Sequence, residues 1–494
     1  MMNSQWHFWI SITIAVCIAS SFGICTQDDA FISFRYAQNL IEGHGLVFNP
    51  GEIVEGISNP LWTLLLALGM FLGLEPVFLS IIMGILSLIW LIWVTSQLLE
   101  EYQLPQIGLY LIALDFSLML ESVEGLESTF FAALIGQIWL LFQRFDGIDG
   151  TKYITFCFFI AFLTRPESPL LILCFILAFE LSQKGMYRHI SVHCFYALLN
   201  IIIAFTLLRF LYYGEFVPNT YYAKVGGAAF VRGFGYLLRF GNDHLLYACS
   251  LLAIPYFFWS HKKFRFYLIP MLCHLFYVVY IGGDFKPTGR FLITLSAFFC
   301  VLTTSMMVFV YSKKRWFFFG LLLLPMFSRV QLWSKTQMWA QTRHQNFVAR
   351  RAAGLFFQNN SFPNQIIAMH SVGAVPYYAQ RPCIDMWGLN DKVIARTPVQ
   401  NFGTGLAGHE RTNPTYVFSK EPDFYLPEDN WLQLEKYQQP ITDDLPASFA
   451  QNYRAISIPL GASWLNFWIH KRNLMYGEEA QKRLQWNTYV WEKP

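Results

Sequence analysis

The sequence predicts a mainly α-helical, polytopic membrane protein: a bundle of about eleven transmembrane helices followed by a soluble C-terminal α/β domain. Three observations carry that prediction. Of 494 residues, 55% are hydrophobic and only 14% are charged, where a soluble globular chain carries roughly 25% charge. Apolar runs long enough to enter a bilayer recur through the first two thirds of the chain. Beyond Ser334 no long apolar run survives, and Pro, Gly and Asn become frequent. The 48 Phe and 16 Trp exceed what one soluble core needs, and lipid solvates such a surface. A net charge of +3 gives no argument for a nucleic-acid partner; the lipid bilayer is the expected surrounding.

The run from Trp6 to Ile24 lacks a basic leader and a small-x-small cleavage site, so it reads as a retained first helix rather than a signal peptide. Spans are expected to begin near Trp6, Val77, Pro105, Ser128, Lys152, Ser168, Ile190, His244, Phe264, Arg290 and Trp316. Three short basic loops, Lys184–His189, His261–Arg265 and Lys313–Arg315, share one side by alternation, and an excess of Lys and Arg marks the cytoplasmic side. Residues Gln27–Asn59, Glu121–Glu127, Thr164–Glu167, Tyr213–Asn242, Gly282–Gly289 and everything after about Gln331 then lie outside. That arrangement requires the short apolar segment Pro60–Leu72 to be re-entrant or interfacial rather than a crossing. Residues 1–333 are thus expected to form the membrane domain, with a first outer loop over 26–59, and residues 334–494 a soluble extracytoplasmic domain. Within the latter, Gln365–Asp385 reads as strand, Gly-opened turn or helix, and strand. The expected location is the inner (plasma) membrane, multi-pass.

The nine cysteines do not form a disulfide framework. Seven lie in apolar runs, Cys25 sits near a membrane face, and Cys383 stands alone in the polar part. They read as small buried hydrophobes, and no spacing suggests zinc.

An ionisable group in a lipid-adapted chain is costly and marks a candidate functional site. The first outer loop opens on Asp28-Asp29 and continues as a helix in which Asp28, Ile32, Arg35 and Asn39 share a face. One aspartate could serve as a helix cap; a cap needs only one. Glu55 precedes Pro60 and could fold back under the pair. His44 between two glycines reads as a turn residue. Further outer polar groups are Glu124, Glu127, Arg165, Glu167, Asn219, Lys224, Asp284, Lys286 and Arg290. Acids ringed by Arg and Lys suit an anionic, phosphate-bearing substrate.

Taken in order, Asp28–Ala37, Glu42–Glu52, Val54–Trp62, Thr164–Glu167, Pro218–Lys224, Gly282–Arg290, Asp385–Asp391 and Gly408–Glu410 resemble GT-C-type membrane glycosyltransferases. Within that type they resemble the mycobacterial terminal β-arabinofuranosyltransferases. The resemblance implies a GT-C-like helix bundle that moves a sugar, a pentose such as arabinofuranose, from a polyprenyl-phosphate donor. The implied acceptor is an envelope polysaccharide or lipopolysaccharide on the non-cytoplasmic side. Asp28 and Asp29 match the family's catalytic acidic pair. Glu55 matches a second acid of the related lipid A aminoarabinose transferases, and Arg165 matches their phosphate-gripping lysine. With these, Arg35, Lys224 and Arg290 form the expected donor-phosphate set, and Glu127, Asn219, Asp284, Asp385 and His409 the expected substrate contacts. The chain departs from the family at Ser371, where an acid is usual, and at Lys286, where an apolar residue is usual.

Glycosyl transfer needs a carboxylate to take the acceptor proton and cations to hold the departing phosphate. No cofactor is required; a divalent cation bridging acids and phosphate is compatible with these residues, and the identity of any metal is left open. Two other classes remain. A transporter or flippase of lipid-linked sugars would show internal repeats and broken mid-membrane helices, and no repeat is found. A glycan-binding scaffold would not need the aspartate pair.

Overall fold

The computed structural model describes residues 4–144, 148–183, 187–251, 254–255, 258, 265–313, 315–427, 431–433, 445–446, 448–460 and 463–475. The expected basic loops fall largely on 184–186, 261–264 and 314, outside the described residues.

The chain is mainly helical and ends in a small mixed sheet. Helix α1 covers Ser4–Ser21, α2 Asp28–Ile41, α3 Pro60–Phe71 and α4 Pro76–Glu101. Glu75 starts α4 by accepting the Phe78 N–H at 2.9 Å, with Pro76 at the first position. Its 26 residues reach about 39 Å at 1.5 Å per residue, more than the about 30 Å hydrocarbon core. Helix Arg188–Tyr213 has the same length, ends on left-handed Gly214, and turns most of its apolar surface outward.

Among the described residues, only these two helices are long and apolar enough to cross a bilayer; Pro60–Phe71 and several others of 10–17 residues are shorter. The expected eleven crossings are therefore not recovered as eleven long helices. The run expected from Pro105 breaks into Gln106–Gly108, Leu109–Ala113 and Phe116–Glu121, because Asp115 starts a new helix by accepting from the Leu118 N–H. The run expected from Arg290 breaks likewise, into Arg290–Ile293 and Ser296–Lys313. With 12 residues, α3 spans only about 18 Å, which suits a segment that does not cross.

The last long helix, Arg315–Asn360, has 46 residues and runs straight through the expected 333/334 boundary. Its polar half packs on the short helix Ala374–Ala379. Strands β1 (Ile367–Met369) and β2 (Cys383–Asp385) flank that helix and pair in parallel. β3 (Phe424–Leu426) pairs parallel to β1 on its other side; β4 (Leu432–Gln433), β5 (Tyr453–Leu460) and β6 (Ser463–His470) complete the sheet through antiparallel pairings. The strand-turn-strand reading of Gln365–Asp385 thus holds, with a six-residue helix in the turn.

α2 joins the two parts. One face packs Ala30, Phe31, Phe34 and Ala37 against Trp62, Leu66 and Ala67 of α3 and against Phe347, Tyr377 and Tyr378. The other packs Ile32 and Tyr36 against Phe48, Ile57 and the sheet residues Ile367, Met369 and Cys383. Phe31 and Phe34 are fully buried; such a side chain contributes roughly 1.5–3 kcal/mol. The segment that opens with α2 is therefore fixed from both sides before any polar contact is counted.

Candidate functional site

Both aspartates lie in the first turn of α2, yet neither caps it: the N-cap is Gln27, without a side-chain hydrogen bond. Asp28 instead accepts from the Gly373 N–H at 3.0 Å and the Ala374 N–H at 2.9 Å, and pairs with Arg350 at 2.8 Å. It caps the start of another helix, Ala374–Ala379. The approach is so close that a Cβ on Gly373 would lie 1.9 Å from the Asp28 carbonyl oxygen. Asp29 has no hydrogen bond or ion pair among the described residues and lines a cavity of about 190 Å³. Burial alone would raise its carboxyl, but Arg290, Lys224, His409 and Lys286 outweigh burial and hold it below its ordinary value.

The cavity lies between α2, helix Arg315–Asn360 and the loops that follow β1 and β2. Its polar lining includes Asp28, Asp29, Arg343, Arg350, His370 and His409; Phe285, Phe347 and Trp387 add aromatic walls. Arg343, Asn346, Phe347 and Arg350 were not singled out in the sequence. Their spacing of three or four residues places them on one helical face, a signal legible once the helix is known to continue past Ser334.

Arg290 pairs with Asp284 at 2.8 Å. The contact is off the hydrogen-bond direction, so it is an ion pair rather than a directed bond. Lys224, on the short helix Asn219–Lys224, keeps its side chain exposed and makes no ion pair among the described residues. Arg290 and Lys224 act on Asp29 electrostatically and so form the nearby cationic group. His409 packs edge-on against Trp387 and Phe285 at 4.1 and 4.9 Å, and burial lowers its imidazole.

Other expected site residues stand elsewhere. Arg35 is buried and directs its guanidinium to the carbonyls of Phe48, Pro376 and Arg381 and to Asn49 Oδ1. It ties α2 to the C-terminal part and has no free fork for a phosphate, contrary to its expected donor role. Glu55 forms a two-pronged pair with Arg209 at 2.6 and 3.2 Å and does not line the cavity under the aspartates. Arg209, overlooked in the sequence, carries its own signal, an arginine near the end of an apolar run. Arg165 is buried between Glu127 at 2.9 Å and Glu167 at 3.1 Å, which commits it to carboxylates. Glu127 also accepts from Asn59.

Asn219 donates to the carbonyls of Gly388 and Leu389 and accepts from Arg396, stapling its helix to the loop after β2. Asp385 accepts four N–H bonds, from Trp387, Gly388 and twice from Asn390; it shapes that loop rather than facing a substrate. Burial pushes its carboxyl up to about 6. His44 stays exposed beside Glu42.

Lys286, the departure from the family pattern, has a clear physical reason. It is wholly buried between Glu124 at 2.5 Å and Glu121 at 3.3 Å, and Thr288 donates to Glu121 at 2.6 Å. Arg343 adds a second cation to Glu124 at 3.4 Å. An apolar residue at 286 would leave two buried carboxylates short of a cation. Among the described residues, no group of three or more His, Cys, Asp or Glu side chains is placed to hold a metal ion. All nine cysteines are free.

Among known proteins, a family model described as Domain of unknown function (DUF8728) matches residues 336–480. The terminal beta-(1->2)-arabinofuranosyltransferase of Mycobacterium tuberculosis is 27% identical over 277 residues, which is 50% of this chain and 43% of that protein. Two crystal structures of ArnT from Cupriavidus metallidurans share the fold. The form bound to undecaprenyl phosphate gives a TM-score of 0.57 at 11% identity, covering 94% of this chain and 98% of ArnT. The apo form gives 0.54 at 12% identity, covering 93% and 97%. In sequence the chain is therefore similar to a terminal arabinofuranosyltransferase, and in fold to ArnT, the GT-C resemblance that its ordered motifs carry.

Proposed function

We propose that this protein is a multi-pass inner-membrane glycosyltransferase. It moves a sugar, a pentose such as arabinofuranose, from polyprenyl phosphate to an envelope glycan on the non-cytoplasmic side. The observation that carries the reading is the contrast within the aspartate pair. Asp28 is consumed by Arg350 and two backbone N–H groups, while Asp29 is unpaired, ionised and set at a cavity. Asp29 is the base. It takes the proton of an acceptor hydroxyl as that oxygen bonds to the anomeric carbon; the bond from that carbon to the phosphate oxygen breaks, and polyprenyl phosphate leaves with the electron pair. Arg290 and Lys224 hold the leaving phosphate. Arg165, Glu127, Asp284 and Glu55 shape the surroundings through their ion pairs. The ArnT fold and the arabinofuranosyltransferase relative support this reading.

The alternative is transport or flipping of lipid-linked sugars. Purified protein in lipid, given a polyprenyl-phosphate sugar and a glycan acceptor, separates the two. Labelled sugar bonded to the acceptor is expected; movement of intact donor across the bilayer without transfer overturns the proposal.

A further inference from the structure

The cavity has an aromatic wall that the proton transfer does not use. β1 and β2 are adjacent parallel strands. His370 follows the last residue of β1, and Trp387 stands two residues beyond β2. The loops that leave the carboxyl ends of these two strands bring both rings to the cavity wall. The two rings lie 5.5 Å apart, and His409 packs on the other contact of Trp387 at 4.1 Å. The loop is rigid, because Asp385 holds the backbone N–H groups of Trp387, Gly388 and Asn390.

His370 lines the cavity, and burial holds it down at about 4, so its imidazole is neutral and brings no positive charge to the wall. The two guanidinium groups on the cavity wall are already committed, Arg343 to Glu124 and Arg350 to Asp28. Arg290 and Lys224 do not line the cavity. Its occupant is therefore neutral rather than anionic.

We propose that Trp387, His370 and His409 form a subsite for one neutral sugar ring, the terminal residue of the acceptor. Its C–H face lies on the indole, its hydroxyls meet the imidazoles, and one hydroxyl points to Asp29. The assignment to the acceptor rests on the glycosyltransferase reading; the sugar chemistry rests on the wall itself.

The test is equilibrium binding to the full chain in lipid nanodiscs, without donor sugar, using tritiated neutral arabino-, manno- and gluco-disaccharides, with polyprenyl phosphate titrated separately. The wild type is expected to bind at least one disaccharide. Trp387→Ala is expected to weaken that binding roughly tenfold or more, and Trp387→Phe, which keeps a flat ring, by about threefold at most. Polyprenyl phosphate binding stays unchanged in both. Should Trp387→Ala fail to fold, His370→Ala is read in its place, with a loss of about threefold or more. The proposal is overturned if no disaccharide binds, if the folded variant binds as the wild type does, or if polyprenyl phosphate binding is lost instead. Saccharide binding that depends on Trp387 in a protein that transfers no sugar would uphold the subsite and refute the enzyme.

Discussion

Arg350, late in the 46-residue helix, lies 2.8 Å from Asp28, the first residue of α2. The same carboxylate accepts from the N–H groups of Gly373 and Ala374. One side chain thus clasps three segments, and it sets its neighbour Asp29 at the edge of the cavity. Adjacent residues with the same chemistry have different environments, so different roles.

The clasp predicts a stability phenotype. Gly373→Ala forces a methyl group against the Asp28 backbone and should cost about 1–3 kcal/mol, the usual range for overpacking. Asp28→Asn weakens the cap and the ion pair and should cost about 1–2 kcal/mol. Thermal unfolding of the detergent-solubilised chain checks both. Unfolding temperatures equal to the wild type would remove the clasp from the description.

Lys286→Met places an apolar side chain between Glu121 and Glu124. Removing one partner from a buried ion-pair network costs about 3–5 kcal/mol. The expected outcome is loss of the folded protein from membranes. Lys286→Arg, which keeps the charge, should retain more of it. Equal yields of the two variants on size-exclusion chromatography would contradict this.

Arg290 and Lys224 are assigned to the donor phosphate. In the protein that folds, truncating either should raise the donor KM by about tenfold, the value of one charge-assisted contact, and leave the acceptor KM within error; Arg290→Ala also leaves the buried Asp284 without its cation, so Arg290→Lys, which keeps the charge, is read beside it. Arg165→Ala strands two buried carboxylates, Glu127 and Glu167, where Arg290→Ala strands one, Asp284; it is expected to lower the amount of folded protein more. A selective rise in the acceptor KM for Arg290→Ala would reverse the donor and acceptor ends of the site.

The pH dependence follows from the lowered Asp29 carboxyl. A depressed folded value means that the ionised form is favoured by the fold. Its stabilisation is present above the unfolded value of about 3.9 and is lost as pH falls through the folded value. Asp29 therefore remains a base across about pH 5 to 8. Transfer at saturating substrate should show no acid limb there that Asp29→Glu shifts. An acid limb that moves in that variant would refute the lowered value.

Much of the fold was legible because membranes constrain sequence strongly. Apolar runs locate helices, and the strands around Gln365–Asp385 carry their own short apolar patterns. The helix count was less legible. Asp115 and the break before Ser296 interrupt apolar runs that composition reads as continuous. The extension of the last helix to Asn360 was hidden because its C-terminal half is polar and apolar in turn rather than continuously apolar. Within the site, charge at the domain end of the bundle singled out Asp28, Asp29, Lys224 and Arg290, and the family resemblance singled out His409; Arg290, Lys224 and His409 all act on Asp29. Neither could tell a free charge from a committed one. Arg35, Arg165 and Arg290 are equally ionisable, and only their partners tell them apart: the Pro376 and Arg381 carbonyls for the first, two carboxylates, Glu127 and Glu167, for the second, and one carboxylate, Asp284, for the third. Of these, Pro376, Arg381 and Glu127 lie tens or hundreds of residues away, where periodicity carries no information.

The decisive measurement compares sugar transfer by Asp29→Asn and Asp28→Asn in the full chain, reconstituted with a polyprenyl-phosphate sugar and a glycan acceptor. Asp29→Asn is expected to lose about a hundredfold or more in kcat, the scale of a missing general base, while unfolding at the wild-type temperature. Asp28→Asn is expected to lose stability first and to keep measurable transfer. Near-wild-type turnover by Asp29→Asn, or a larger loss in a stably folded Asp28→Asn, would contradict the assignment of Asp29 as the base.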